Sequence, residues 1–393
     1  MKMKRIGAVV ILMLLFVAAC GKENETKGLE ESAEEVVGKE TGGVSETVSE
    51  ETHIKRTLED GIEIDAEVIN PLGRKAVPVY DINLKEFSAD TARELLLPDE
   101  EAVVREEEGG TYVSTEEETL QVGTGLSYSV VRESVLYGQF TTLEKPGEQE
   151  DLPFCTLEEA CRKVEETVKA LGVEQFRLEK ACTIDYKAMQ EKEDTWKDDP
   201  DFVERVREKN YPYKGTWEPE DGMYTISLEI LQDQAPVYDK FYTDTNGNEI
   251  GGYGTEARYT KDGIIALHVD GCPEIQKESD QWDILGAEEI ADRLEDKFDL
   301  LIMTGDLKIS EFQLMYLTAL DEEGGLQLIP IWRVKTEQER TVDGIMELYG
   351  YNELPEAERE EVRKSFEEDV KDRPVEVSYI YYHAKSGEEL LLS

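Results

Sequence analysis

The chain has 393 residues, with 90 Asp and Glu against 43 Lys and Arg and a formal charge of −47 at pH 7. That excess excludes a nucleic-acid binder, which needs clustered Lys and Arg to neutralise phosphates, and argues against broad adhesion to an anionic membrane. With 39% apolar residues the chain can still bury a substantial core, and its three histidines limit acid–base catalysis.

Lys2, Lys4 and Arg5 open the chain and precede an uncharged run from Ile6 to Val17. A dozen residues make a helix of roughly 18 Å, well short of a hydrocarbon core of roughly 30 Å. The run therefore suits the middle of a secretory signal and not a span. Ala18 and Ala19 give the small side chains a peptidase needs, and Cys20 follows at once. Val17-Ala18-Ala19-Cys20 resembles the end of the bacterial lipoprotein signal, with Val where Leu is commoner. The resemblance implies acylation of the Cys20 sulfur and cleavage before it. The membrane is then a partner through that lipid, worth about 0.8 kcal/mol per buried methylene, and the chain sits at the outer face of the cytoplasmic membrane. Residues 1–19 are the signal and 20–52 the lipidated cysteine with an acidic tether. Gly21 to Thr52 holds ten glutamates, three lysines and no aromatic residue, too little apolar surface to offset chain entropy.

Three blocks follow, 53–148, 149–278 and 279–393. In the first, Gly61 to Val68 alternates apolar and polar residues, the period of a strand with one wet face. Val77-Pro78-Val79-Tyr80 begins another. Ser88 caps a short helix through Ala92 and Leu95 to Leu97, stopped by Pro98. Strands are expected at Thr119 to Val122 and Ser127 to Leu136. In the second block, Thr156-Leu157-Glu158-Glu159 has the capping-box pattern. Leu157, Ala160, Cys161, Val164, Val168 and Leu171 follow as one apolar stripe, and Gly172 closes the helix. Phe176, Leu178, Cys182, Ile184 and Tyr186 are expected on one strand face. A charged insertion runs to about Asp221, with a short helix starting at Asp199-Pro200. Strands resume at Met223 to Leu231 and Pro236 to Tyr242, with turns at Asn246-Gly247 and Asp262-Gly263.

The third block repeats that order. Ala287, Ile290, Ala291, Leu294 and Phe298 make a helical stripe, and Leu307 to Leu320 and Leu326 to Val334 flank a Gly324-Gly325 turn. A helical insertion spans Leu354 to Lys371, followed by a strand from Val375 to Tyr382 and a turn at Lys385-Ser386-Gly387. Leu328, Pro330, Trp332 and Val334 share one strand face, so Trp332 should pack on the helical stripe. Proline in a strand belongs near a sheet border, which places this hairpin at an edge. The expected class is α+β, in tandem domains that each pack a helix on an antiparallel sheet.

Leu328-x-Pro330-x-Trp332-x-Val334 and the later Ala384-x-x-Gly387-Glu388 resemble PepSY-type domains and related regulatory envelope proteins, over about the last hundred residues. Pro236-Val237 and its helix echo this in the second block. The whole chain is similar to large uncharacterised lipoproteins of clostridial Firmicutes. The resemblance implies regulation in the envelope, such as restraint of a peptidase or modulation of a sensor kinase.

The sequence supplies little chemistry. There is no H-E-x-x-H and no G-x-S-x-G, since Gly125-Leu126-Ser127-Tyr128-Ser129 lacks the second glycine. His268 and Cys272 end one strand, and the plain reading is two ordinary strand-end residues. Asp244-Thr245-Asn246-Gly247-Asn248-Glu249 lacks the bidentate Glu of a calcium loop and reads as a turn. No catalytic, cofactor or metal residue is assigned. Cys155, Cys161, Cys182 and Cys272 have no zinc spacing, and four cysteines allow three disulfide connectivities. Cys161 on the helix stripe and Cys182 on the strand face form the candidate disulfide, with buried thiols as the alternative. Tyr379, Tyr381 and Tyr382, or Trp196 and Trp217, could line a groove. The reading is a non-enzymatic module binding an envelope protein or peptide, an edge strand accepting the other chain. The alternative is a solute-binding lipoprotein of a transporter, and a cell-wall hydrolase comes third.

Overall fold

A computed structural model describes residues 52–392 apart from 59–61, 100, 108, 145–148, 198–212, 245–246, 253 and 299–305. Cys20, the tether up to Glu51 and Asp199-Pro200 lie outside the described residues.

The described residues open with β1 (His53–Thr57), β2 (Glu63–Ile69) and β3 (Ala76–Leu84). Ser88 caps α1 (Ala89–Leu96) by accepting the Thr91 N–H at 3.3 Å. Next come β4 (Val103–Glu107), β5 (Gly110–Ser114), β6 (Glu118–Val122) and β7 (Leu126–Val130). The strand expected to reach Leu136 stops at Val130 and becomes α2 (Val131–Gly138). Val131 and Val135, which suggested a strand, are 42% and 40% exposed, whereas Tyr137 and the following Phe140 are buried. Burial of the aromatics overrides the β-branched propensity.

The capping box forms at α3 (Leu157–Ala170), Thr156 and Glu159 each accepting the other's backbone N–H at 3.1 Å. After β8 (Phe176–Ile184), Tyr186 starts α4 (Tyr186–Lys197) instead of extending the strand, because the Asp185 carboxylate accepts the Ala188 N–H at 2.7 Å. In β9 (Met223–Gln232) and β10 (Ala235–Pro236) the two-residue turn is Asp233-Gln234, at φ 50° and 71°. Turns of this kind usually carry Gly at one of the two positions, and Asp233-Gln234 has none, so local patterning does not reveal it. The strands β11 (Phe241–Thr243), β12 (Glu249–Gly251), β13 (Gly254–Thr260), β14 (Gly263–Val269) and β15 (Pro273–Asp283) follow. The last part holds α5 (Ala287–Phe298), β16 (Leu307–Leu320), β17 (Leu326–Glu339), α6 (Val342–Leu348), α7 (Glu356–Asp372), β18 (Val375–His383) and β19 (Glu389–Leu390).

The class is α+β. An eight-stranded sheet takes β1–β3 and β15–β19, and a nine-stranded sheet takes β4–β10, β13 and β14. The pairs are antiparallel except β2 with β16, and β11–β12 form a separate ladder. Pairing runs across the three blocks read from the sequence. The first block splits between both sheets, because β15 crosses back to β3 while β14 pairs with β7. Val48–Ser393 is one compact unit, not three tandem domains. One continuous core joins Ile64 and Trp332 of the first sheet, Leu120 and Leu228 of the second, and the stripes of α3 and α5. Among the described residues no helix is long and apolar enough to cross a membrane.

Pro330 corrects one expectation. It lies inside the sheet, with Tyr316 of β16 on one side and Ala384, just past β18, on the other. Pro330 accepts the Ala384 N–H at 3.2 Å but has no N–H to return. The Leu285 N–H fills that vacant ladder position, reaching the Ala384 carbonyl at 2.8 Å. A proline is tolerated centrally here because another segment makes the bond it cannot.

Candidate functional site

The residues read as chemistry-bearing are dispersed. His53 is exposed and shares the Asp65 carboxylate with Lys55, at 2.8 and 3.0 Å. His383 packs tilted against Trp282 with centroids 4.9 Å apart, and burial holds its pKa below the ordinary imidazole value. Cys272 belongs to the main core with Leu267 and Val269, so His268, between them on β14, points to the opposite face. Burial pushes the Cys272 thiol up to about 12 and raises that of Cys161. Neither is a poised nucleophile. The Asp244 carboxylate is occupied within its turn by the Asn248 backbone and side-chain N–H groups, at 2.8 and 2.9 Å. Trp217 is buried edge-on to Phe140 at 5.0 Å, and Trp196 stacks on the same ring. Both tryptophans serve packing, not a groove.

Cys161 and Cys182 are not joined, and a β-bulge is the reason. Before it, Phe176 and Leu178 pair with Ile230 and Leu228. After it, Ala181 and Thr183 pair with Ile226 and Tyr224. Those four β9 residues all line the main core, as does Cys161. Glu179 is the extra residue, so the two faces of β8 exchange there. Cys182 turns away from α3 to the side where Ile184 joins a second core with Met223.

The bulge also bears on the groove between α3 and β8. This groove has about 730 Å³ and is lined by Leu157, Glu158, Cys161, Arg162, Glu165 and Leu178. Irregular edges resist strand addition. Other edges carry similar devices: β15 has two bulges, β1 carries Lys55 and Arg56, and β4 has Arg105, Glu106 and Glu107 in five residues.

β18 carries only one charge and no irregularity. It pairs with β17 residue for residue from Glu339↔Val375 to Ile331↔His383, with no bulge. On its other side β19 covers only Tyr381 and Tyr382. Residues 375–380 therefore have no strand along their outer edge among the described residues. Val375, Val377 and Tyr379 are 47%, 47% and 40% exposed, and Glu376 is the one charge in that run. The direction of the backbone groups follows from the flanking bonds. Pro374 accepts from the Arg340 N–H and Pro330 from the Ala384 N–H, and hydrogen-bonded pairs recur at every second residue. Glu376, Ser378 and Ile380 thus direct their N–H and C=O groups at β17, while Val375, Val377 and Tyr379 direct theirs outward.

The face beside this edge is polar and firmly held. Arg333 stacks on Tyr379, its guanidinium 4.9 Å from the ring centroid. It donates to Gln313 and, at 3.1 Å, to Glu311, while its Nε–H is buried without a partner. Lys335 pairs with Glu337 at 2.6 Å. That contact raises the lysine pKa and, with Ser310, lowers the carboxyl one. The other tyrosines of the cluster are packing residues. Burial pushes Tyr381 up to about 12, and the Tyr382 hydroxyl is buried without a partner. The ring of Tyr379 is legible in the sequence. The free backbone beside it depends on where β19 ends, which local patterning does not show.

No family model matches the chain, and no curated protein matches its sequence. Among solved structures, an uncharacterized protein from Eubacterium rectale aligns at 15% identity with a TM-score of 0.55, over 87% of this chain and 94% of that one. YycH from Bacillus subtilis aligns at 11% identity with a TM-score of 0.34, over 71% of this chain and 53% of its own. The chain is similar in fold to the Eubacterium rectale protein.

Proposed function

We propose that the chain is a non-enzymatic module of the cell envelope, anchored through Cys20, that binds an extended segment of another protein along the outer edge of β18. The observation behind this is the straight, unbulged run Val375–Tyr379, in which the exposed Val375, Val377 and Tyr379 direct their backbone groups outward with no strand beside them among the described residues. Proteins normally blunt such an edge with charges, proline or bulges, as the other edges here do. An edge left open serves β-augmentation, in which main-chain bonds give affinity and alternate side chains give specificity. The dispersed histidines and the burial that raises the Cys161 and Cys272 thiols support binding over catalysis.

The test uses Val377→Pro. The Val377 N–H points outward, so proline there removes a docking donor and leaves the β17 ladder intact. A photo-crosslinking residue in place of Tyr379, in the full-length membrane-bound chain, should give a discrete adduct with an envelope protein. Val377→Pro should abolish it, and Cys20→Ala, by releasing the chain from the membrane, should weaken it. An adduct indifferent to the proline, or equally strong from Val103 on β4, would contradict the proposal.

A further inference from the structure

We infer that a second copy of this chain closes the β18 edge, as an antiparallel pair centred on Val377. The inference rests on β18 being a docking edge and adds the identity of one partner. A two-fold axis normal to the sheet keeps like faces together, and it must pass through a residue position for paired side chains to share a face. Centring on Val377 sets Val375 against Tyr379 of the second copy, Val377 against its counterpart, and Tyr379 against Val375. All three outward-pointing residues then occupy hydrogen-bonded positions, giving about six backbone bonds at two per pair.

The neighbouring registers are worse. Centring on Glu376 opposes two identical carboxylates and loses a pair. Centring on Ser378 calls on Tyr381, whose edge is already held by Leu390 of β19. Around Val377 each Glu376 meets a Ser378, and the exposed Val375, Val377 and Tyr379 form one apolar row across the joint. The opposing term is charge, since two chains of −47 repel. Pairing should therefore strengthen as salt shortens the Debye length from about 30 Å to about 8 Å.

Directed disulfides in the full-length membrane-bound chain test this. A hydrogen-bonded antiparallel pair has Cα atoms about 5.5 Å apart, within the range a disulfide spans. Val377→Cys should cross-link to itself under mild oxidation about tenfold faster than Val103→Cys, because pairing raises the effective concentration. Val375→Cys co-expressed with Tyr379→Cys should give the mixed dimer, which neither forms alone, and yields should rise with salt. If Val377→Cys cross-links no faster than Val103→Cys, self-pairing is overturned. In that case a surviving adduct from the Tyr379 photo-crosslinker would leave β18 as a docking edge for other proteins. Loss of both signals would remove the docking edge as well.

Discussion

Truncating Trp332 to alanine is expected to lower the stability of the folded unit by about 3–5 kcal/mol, enough to unfold a marginal protein. The indole is 2% exposed and shares a core with Ile290, Leu294 and Phe298 of α5. Its Nε1–H donates to the Leu285 carbonyl at 3.0 Å. The Leu285 N–H reaches Ala384, in the ladder position that Pro330 cannot fill. Gly387 completes the joint at φ 71°, where a Cβ would stand 2.8 Å from the Leu285 Cδ1 atom. The spaced motif of Pro330, Trp332, Ala384 and Gly387 is thus a structural joint around Leu285, which fixes the entry into α5. Trp332→Phe keeps most of the ring and gives up the bond, so it should cost less than alanine, by chemical denaturation. An alanine variant that denatures at the wild-type midpoint would contradict this packing.

Glu193→Ala should be nearly as damaging, at about 2–5 kcal/mol, because it strands one buried and one part-buried donor. Glu193 is 1% exposed on α4 and accepts the Gly215 N–H at 2.7 Å and the Trp217 Nε1–H at 2.9 Å. Trp217 in turn packs on Tyr137 and Phe140 in the second core. Without the carboxylate this core should loosen first, seen as faster amide exchange in α4 and around Trp217 while α5 stays protected. Uniform exchange across both cores would argue against a local role. Glu193→Gln keeps one acceptor and should fall between.

The features legible beforehand are those written in adjacent residues. The capping box at Thr156, the α5 stripe, the β16–β17 hairpin and the burial of Trp332 all follow from local spacing. The misses depend on partners distant in sequence. One inserted residue at Glu179 exchanged the faces of β8 and separated Cys182 from Cys161. Two non-glycine residues, Asp233 and Gln234, made a left-handed turn. The split of the first block is set by β15 returning to β3, some 190 residues away in sequence by the register Pro273↔Leu84, a pairing no local pattern encodes. The candidate site was half legible. Tyr379 and the idea of edge binding came from the sequence, but the choice of edge came from where β19 stops and where bulges lie.

Amide hydrogen exchange along β18, at concentrations low enough to keep the chain monomeric, tests the open edge most directly. The backbone directions predict slow exchange at Glu376, Ser378 and Ile380, whose N–H groups bond to β17, and fast exchange at Val377 and Tyr379, whose groups face outward. Uniform protection of all five amides would show that something within the chain already covers this edge, and the docking account would fall.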